Sequence, residues 1–168
     1  MNVVESARLV LRRLDVHDAR FILELLNDPA FIRFVGDRGV RDLADAYQYI
    51  LDGPIASYRR FGFGLYLTSL RDGAPIGICG LLKRDALEDV DIGFAFLPAY
   101  GSRGYAVESA SAVLEYGRRV LGLRRIVAIT APDNHASIAV LQKIGMSFER
   151  MVKLSEQGKE LKLFVCAG

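Results

Sequence analysis

The sequence predicts one α/β domain, residues 1–168, built on a central mixed sheet, and three observations lead there. A chain of 168 residues is well short of the roughly 250 at which cores tend to divide. Two strand-length apolar runs flank the turn Arg71-Asp72-Gly73, the pattern of a hairpin. Between Asp89 and Thr130 a strand-length run, a long amphipathic stretch and a second such run follow in order. That is the order of a right-handed crossover, which sets its two strands parallel.

The elements follow from the chain in turn. Arg8–Arg12 reads as a strand, and Asp15 precedes a helix whose apolar residues Phe21, Ile22, Leu25 and Leu26 recur at helical spacing, with Pro29 as its stop. A second helix covers Asp42–Leu51, after which Gly53-Pro54 and the Gly62/Gly64 pair punctuate the chain. Gly64–Thr68 and Ile76–Leu81 form the hairpin, and Asp89–Leu97 returns as a third strand, stopped at Pro98. Tyr105–Leu121 is the longest helix, with Ala106, Ala110, Val113, Leu114, Gly117 and Leu121 on the face that covers the sheet. Arg125–Thr130 is a buried strand, and a helix runs from Pro132-Asp133-Asn134 through Ile144, with Gly145 as its left-handed terminator. Two last strands, Phe148–Leu154 and Lys159–Val165, are joined through Gln157-Gly158, which makes about seven strands and four helices.

Composition excludes several classes. With 51% hydrophobic and 25% charged residues, the chain has enough apolar surface for a core and too much for disorder. Lys+Arg of 22 against Asp+Glu of 20 leaves a net charge of +2 with the basic residues scattered, so no nucleic-acid stripe is expected. The apolar runs are strand-length and broken by charge or glycine, and the N-terminus has no signal-peptide pattern, so a cytoplasmic protein without membrane contact is expected. Cys79 and Cys166 stand far apart in apolar runs and read as small buried hydrophobes. With only His17 and His135 beside them, no zinc spacing arises, and no metal is expected.

The chemistry concentrates at two helix starts. Pro98–Ala106 is a glycine-rich turn leading into the long helix, where free N–H groups and the helix dipole favour an anion. It has neither the GKS/T ending of a P-loop nor G-x-G-x-x-G, which disfavours ATP and NAD. Ala131–Ser137 opens the next helix one strand later, where Asn134 and Ser137 are ordinary capping residues. Two helix N-termini at the carboxyl ends of adjacent strands converge on one crevice, so that a single ligand can touch both.

These residues resemble the GNAT acyl-CoA N-acyltransferase superfamily, specifically the ribosomal-protein N-acetyltransferase branch typified by RimJ and RimL. Ala7–Arg12 is similar to its opening "RL-x-LR" strand and Leu26-Asn27-Asp28-Pro29 to the end of its first helix. Asp91–Phe94 resembles "E-I-G-Y", and Gly101–Ser109 resembles "GKGYATEA". Pro132–Ser137 with Val140–Met146 resembles "PDNxAS…VLEKxGF". The resemblance implies the GNAT fold, a mixed and mostly antiparallel twisted sheet whose strands splay apart in the middle, after Phe94. It implies acetyl-CoA as donor, held by Phe96, Leu97, Gly101, Ser102, Arg103, Gly104, Tyr105, Ala106, Asn134 and Ser137, with the pyrophosphate on the amides of Ser102–Ala106. Transfer is then direct to an amine, without an enzyme nucleophile, in a monomer or homodimer.

Three positions depart from common patterns: Gly101 replaces a frequent Gln or Arg, Asp91 replaces Glu, and Leu141 stands where many members have a tyrosine that protonates the leaving thiolate. Ser137 is the candidate to supply that proton. Asp91, directly or through water, is the candidate base, with Asp89 on the same strand face raising its pKa by repulsion, and a pair of solvent-exposed strand-end carboxylates is the alternative. Backbone N–H groups near Phe96 are the expected donors to the oxyanion. Deprotonating the acceptor at pH 7 costs about 4–5 kcal/mol for a lysine but only about 1 kcal/mol for an α-amine. A protein N-terminus is therefore the preferred acceptor. A small-molecule amine such as an antibiotic or polyamine is the alternative, which Asp28, Asp37, Asp42, Asp45 and Asp52 would attract. A non-catalytic acyl-CoA sensor is the reading from another class.

Overall fold

The computed structural model describes residues 2–167. The chain opens with β1 (Asn2–Glu5) and β2 (Leu9–Arg13), then α1 (Ala19–Leu26), α2 (Pro29–Phe34), α3 (Leu43–Ile50) and α4 (Ala56–Phe61). β3 (Leu65–Leu70), β4 (Pro75–Leu82) and β5 (Val90–Phe96) lead to α5 (Tyr105–Arg119), β6 (Arg125–Thr130), α6 (His135–Lys143), β7 (Ser147–Val152) and β8 (Leu161–Ala167). The strands form one sheet in the order β1-β2-β3-β4-β5-β6-β8-β7. β5 and β6 are parallel, as the crossover through α5 requires, and the other neighbours are antiparallel.

A core lies on each face of the sheet. On one, Ala110, Val113 and Leu114 of α5 pack with Leu9, Leu11, Ile92, Ile126 and Phe164. Gly117 brings α5 close: a Cβ there would stand 3.0 Å from Ile126 Cδ1 and 3.2 Å from Leu81 Cδ1. On the other, Ile22, Leu25 and Leu26 of α1 pack with Ala46 and Ile50 of α3 against Leu67 and Ile78. Cys79 and Cys166 are buried free thiols, and burial pushes Cys79 up to about 12, which makes it a poor nucleophile.

Three elements differ from expectation. The eighth strand is β1, too short and too close to Ser6-Ala7-Arg8 to stand out, yet it pairs with β2 and buries Val4. Pro29 opens a helix rather than only closing one, because the Asp28 carboxylate accepts from the N–H groups of Ala30 and Phe31 and proline needs no donor at a first helical position. Gly53-Pro54 does not break the chain: a π-helical turn, Leu51–Ile55, carries α3 into α4 and absorbs the N–H that Pro54 lacks. The helix stops instead at Gly62, whose φ of 81° and bond to Tyr58 O close it.

Candidate active site

β5 lies beside β6 for two residue pairs, Val90 with Ile126 and Asp91 with Val127, and then leaves it. The separation was expected after Phe94 and begins after Asp91. On its other side β5 stays with β4 through Phe96, and Leu97 N donates to Ile76 O at 2.9 Å. Antiparallel strands alternate the direction of their N–H groups. Those of Phe94 and Phe96 therefore point away from β4, into the gap.

The gap continues into a cleft of about 430 Å³ lined from both halves of the sheet. It brings together Asp91, Asn134 and Ser137 with Leu141, Thr130, Tyr49, Arg84 and Arg38, closed on one side by Phe31 and Phe34 of α2. Leu141 is 1% exposed, so that position offers no acid. The turn Gly101–Ala106 is not part of the cleft lining, and lies beyond the end of β5.

Asp91 is 1% exposed. Its Oδ1 accepts from Arg84 Nε at 3.1 Å, while Oδ2 is buried with no hydrogen-bonding partner among the described residues. Burial pushes the carboxyl up to about 6, against the downward pull of Arg84 and Lys83. A carboxylate that titrates near neutrality can take a proton and return it. The expected repulsion from Asp89 is absent. Asp89 precedes β5 and pairs with Arg125 Nε at 2.9 Å, itself bonded to Glu149, so its charge is met outside the cleft. Desolvation, not a second carboxylate, raises Asp91.

Asn134 caps α6: its side-chain oxygen accepts from Ser137 N at 3.2 Å, which leaves the amide NH₂ and the Ser137 hydroxyl for the cleft. At α5 the cap is Gly104, at φ 81° and without a side-chain bond. The intrahelical ladder begins with Glu108 N to Gly104 O at 3.0 Å, so the N–H groups of Tyr105, Ala106 and Val107 precede it. Gly101, Ser102, Arg103 and Gly104 are exposed, with Ser102 also left-handed at φ 61°. This is a surface of open amides at a helix's positive end, which suits a phosphate. Phe96 and Leu97 are half-buried at the strand end.

Sequence reasoning missed the residues that hold this arrangement. Arg8 donates to Arg103 O at 2.9 Å and stacks over Tyr105 at 4.6 Å, while Glu108 accepts from Ser6 Oγ, Arg8 N and Arg8 Nε. The signal was present, since Arg8 and Glu108 both fall in motifs. Arg84 and Arg38 fall in none. The five acidic residues expected to draw a cationic acceptor are all absent from the cleft lining. Asp28 and Asp42 cap helices, Asp37 pairs with Arg41, Asp45 accepts from Arg41 N, and Asp52 accepts from Gln48.

Among the described residues no helix is long and apolar enough to cross a membrane. The profile of the acetyltransferase (GNAT) domain matches residues 8–147. The uncharacterized N-acetyltransferase YnaD of Bacillus subtilis (strain 168) is 30% identical over 151 residues, 89% of this chain and 85% of that protein. Spermidine N(1)-acetyltransferase of Escherichia coli (strain K12) is 26% identical over 144 residues, 83% of this chain and 73% of that one. Among solved structures, the acetyltransferase from Agrobacterium tumefaciens str. C58 superposes with a TM-score of 0.84 at 24% identity, covering 100% of this chain and 95% of that one. RimL, the ribosomal L7/L12 alpha-N-protein acetyltransferase in complex with coenzyme A, superposes at 0.85 with 18% identity, covering 99% and 98%. A sheet that opens between its two parallel strands, a helix start with open amides, and this profile over most of its length agree: the chain belongs to the GNAT acetyltransferase family.

Proposed function

We propose that this chain transfers an acetyl group from acetyl-CoA directly to a primary amine, with an α-amine, as at a protein N-terminus, as the preferred acceptor. The observation that carries the reading is the meeting of Asp91, Asn134 and Ser137 in one cleft where β5 leaves β6. When bound, acetyl-CoA supplies the activated acyl group. The N–H groups of Tyr105 and Ala106 and the turn before them hold its pyrophosphate, Asn134 NH₂ bonds the pantetheine arm, and the gap beyond Asp91 accommodates that arm. Phe96 N–H, turned into the gap, stabilises negative charge developing on the carbonyl oxygen. Asp91 Oδ2 takes the proton that the amine gives up, and Ser137 Oγ donates a hydrogen bond to the departing sulfur in place of a tyrosine at Leu141, the thiolate then taking its proton from solvent.

A carboxyl that titrates near 6 is a weak base. It serves an α-amine, whose deprotonation at pH 7 costs only about 1 kcal/mol, better than a lysine. RimL, a ribosomal L7/L12 alpha-N-protein acetyltransferase, is the precedent in this fold, and membership of that branch is part of the proposal. The spermidine acetyltransferase relatives favour a polyamine instead, but the arginines that line the cleft oppose a polycation. The test is CoA release from acetyl-CoA in the presence of N-terminal peptides, free amino acids, aminoglycosides and polyamines. Binding of acetyl-CoA without turnover of any amine would make the chain a sensor.

A further inference from the structure

The ionisable residues lining the cleft are Arg38, Tyr49, Arg84 and Asp91. The balance is cationic, which is unexpected where an amine must enter. Asp91 is committed through Oδ1 to Arg84 Nε, and its other oxygen is buried and unpartnered. Arg84 is half-buried and retains its two terminal guanidinium nitrogens beyond that bond. Arg38, in the connection between α2 and α3, is exposed and makes no ion pair among the described residues. Both guanidiniums act on the Tyr49 hydroxyl: burial pushes its pKa up, and the charges of Arg38 and Arg84 pull it down. Arg38 and Arg84 thus line one cleft with the buried carboxylate, Arg84 in direct contact with it.

A simple amine or a polycation gains nothing from this wall, and would be repelled by it. An acceptor that also bears an anion would use both arginines, in the paired hydrogen bonds that guanidinium groups make with carboxylates. We propose that the acceptor is a primary amine carrying a carboxylate a few bonds from its nitrogen, the amine directed to Asp91 and the carboxylate held by Arg38 and the outer nitrogens of Arg84. Free acidic amino acids and protein N-termini with an acidic first residue share this chemistry. The inference rests on the N-acetyltransferase reading above and narrows it to a substrate class, with Arg38 as a specificity-determining residue.

The experiment compares kcat/KM, by CoA release, for matched acceptors. Glutamate and aspartate are set against glutaminamide and asparaginamide, which carry no carboxylate, tripeptide amides opening with an acidic residue against their amide counterparts, and spermidine serves as the cationic control. The acidic member of each pair should lead by at least tenfold, and whichever series is faster tells the small-molecule source from the N-terminal one. Arg38→Glu should reverse the ordering, so that the neutral member of each pair becomes the better acceptor, with melting temperature unchanged because Arg38 is exposed. Turnover of neutral amines or spermidine equal to that of the acidic acceptors, or an ordering unaffected by Arg38→Glu, overturns the proposal and leaves the acetyltransferase reading intact. No CoA release from any amine, with acetyl-CoA still bound, overturns both.

Discussion

Glu108 in α5 accepts hydrogen bonds from the backbone N–H and the Nε of Arg8, at 2.8 and 2.7 Å, across 100 positions of the chain. Arg8 in turn bonds the carbonyl of Arg103 in the turn ahead of the helix. The first loop of the sheet thus braces the turn ahead of α5. Arg8→Ala should raise KM for acetyl-CoA severalfold and leave kcat within about twofold, since the brace acts alike in ground and transition states. Stability should fall little, because a half-exposed pair contributes under about 1 kcal/mol. Steady-state kinetics beside a melting curve would check both.

Gly104 separates backbone strain from ligand crowding. At φ 81° it lies where L-residues pay about 1–2 kcal/mol, and a Cβ there would stand 3.3 Å from Arg8 Nη2. Gly104→Val should lose both stability and donor affinity. Gly104→Asn, which tolerates the left-handed region, should keep its melting temperature and still weaken acetyl-CoA about tenfold, as measured by titration calorimetry.

Asp91→Asn should reduce kcat/KM more than tenfold and abolish the limb of the pH profile near 6. The same substitution should stabilise the fold. A carboxyl raised in the folded state binds its proton more tightly there than in the unfolded chain, so its stabilising contribution is complete below about pH 4 and lost as pH rises through 6. The Asn variant should therefore melt with wild type at pH 4 and above it at pH 8. Asp89→Asn, whose partner is Arg125, should leave the activity limb in place.

Asn134 has two tasks that substitutions can divide. Asn134→Ala should cost about 1 kcal/mol through the lost cap and raise KM for acetyl-CoA. Asn134→Asp keeps the capping oxygen but removes the NH₂ donor, and should raise KM with no loss of stability. Ser137→Ala should instead lower kcat, because charge on sulfur develops only during reaction. Near-normal kinetics in all three would reduce both residues to capping.

How far the sequence carried this picture depended on the range of the interactions. The strand, turn and helix signals from Leu65 to Lys143 are local, and each element appeared within a few residues of its place. Asn134 and Ser137 were legible because capping and motif coincide there. Pro29 and Pro54 misled because one side chain, Asp28, and one wide turn, Leu51–Ile55, decide what a proline does. Asp91 lies in the cleft, but the expected cause of its raised pKa was misread: two residues along a strand implied a neighbour, and only the fold sends Asp89 to Arg125 and Arg84 to Asp91. Arg38 approaches the cleft from a connection with no periodicity and no motif, so nothing in its surroundings along the chain marked it.

The two-pair seam between β5 and β6 also divides the chain in order of synthesis. Residues Asn2 to Arg119 build β1–β5 with α1–α5, and Arg125 to Ala167 build β6–β8 with α6, with no element of one set inserted in the other. A nascent chain can therefore complete its first piece, with β5 as an open edge, before the second emerges. Two polypeptides divided in the Leu121–Arg124 connection should reassociate in solution. Because Gly101–Ala106 belong to one piece and Asn134 to the other, acetyl-CoA should tighten that reassociation, making complementation of the halves a readout of donor binding that needs no acceptor at all.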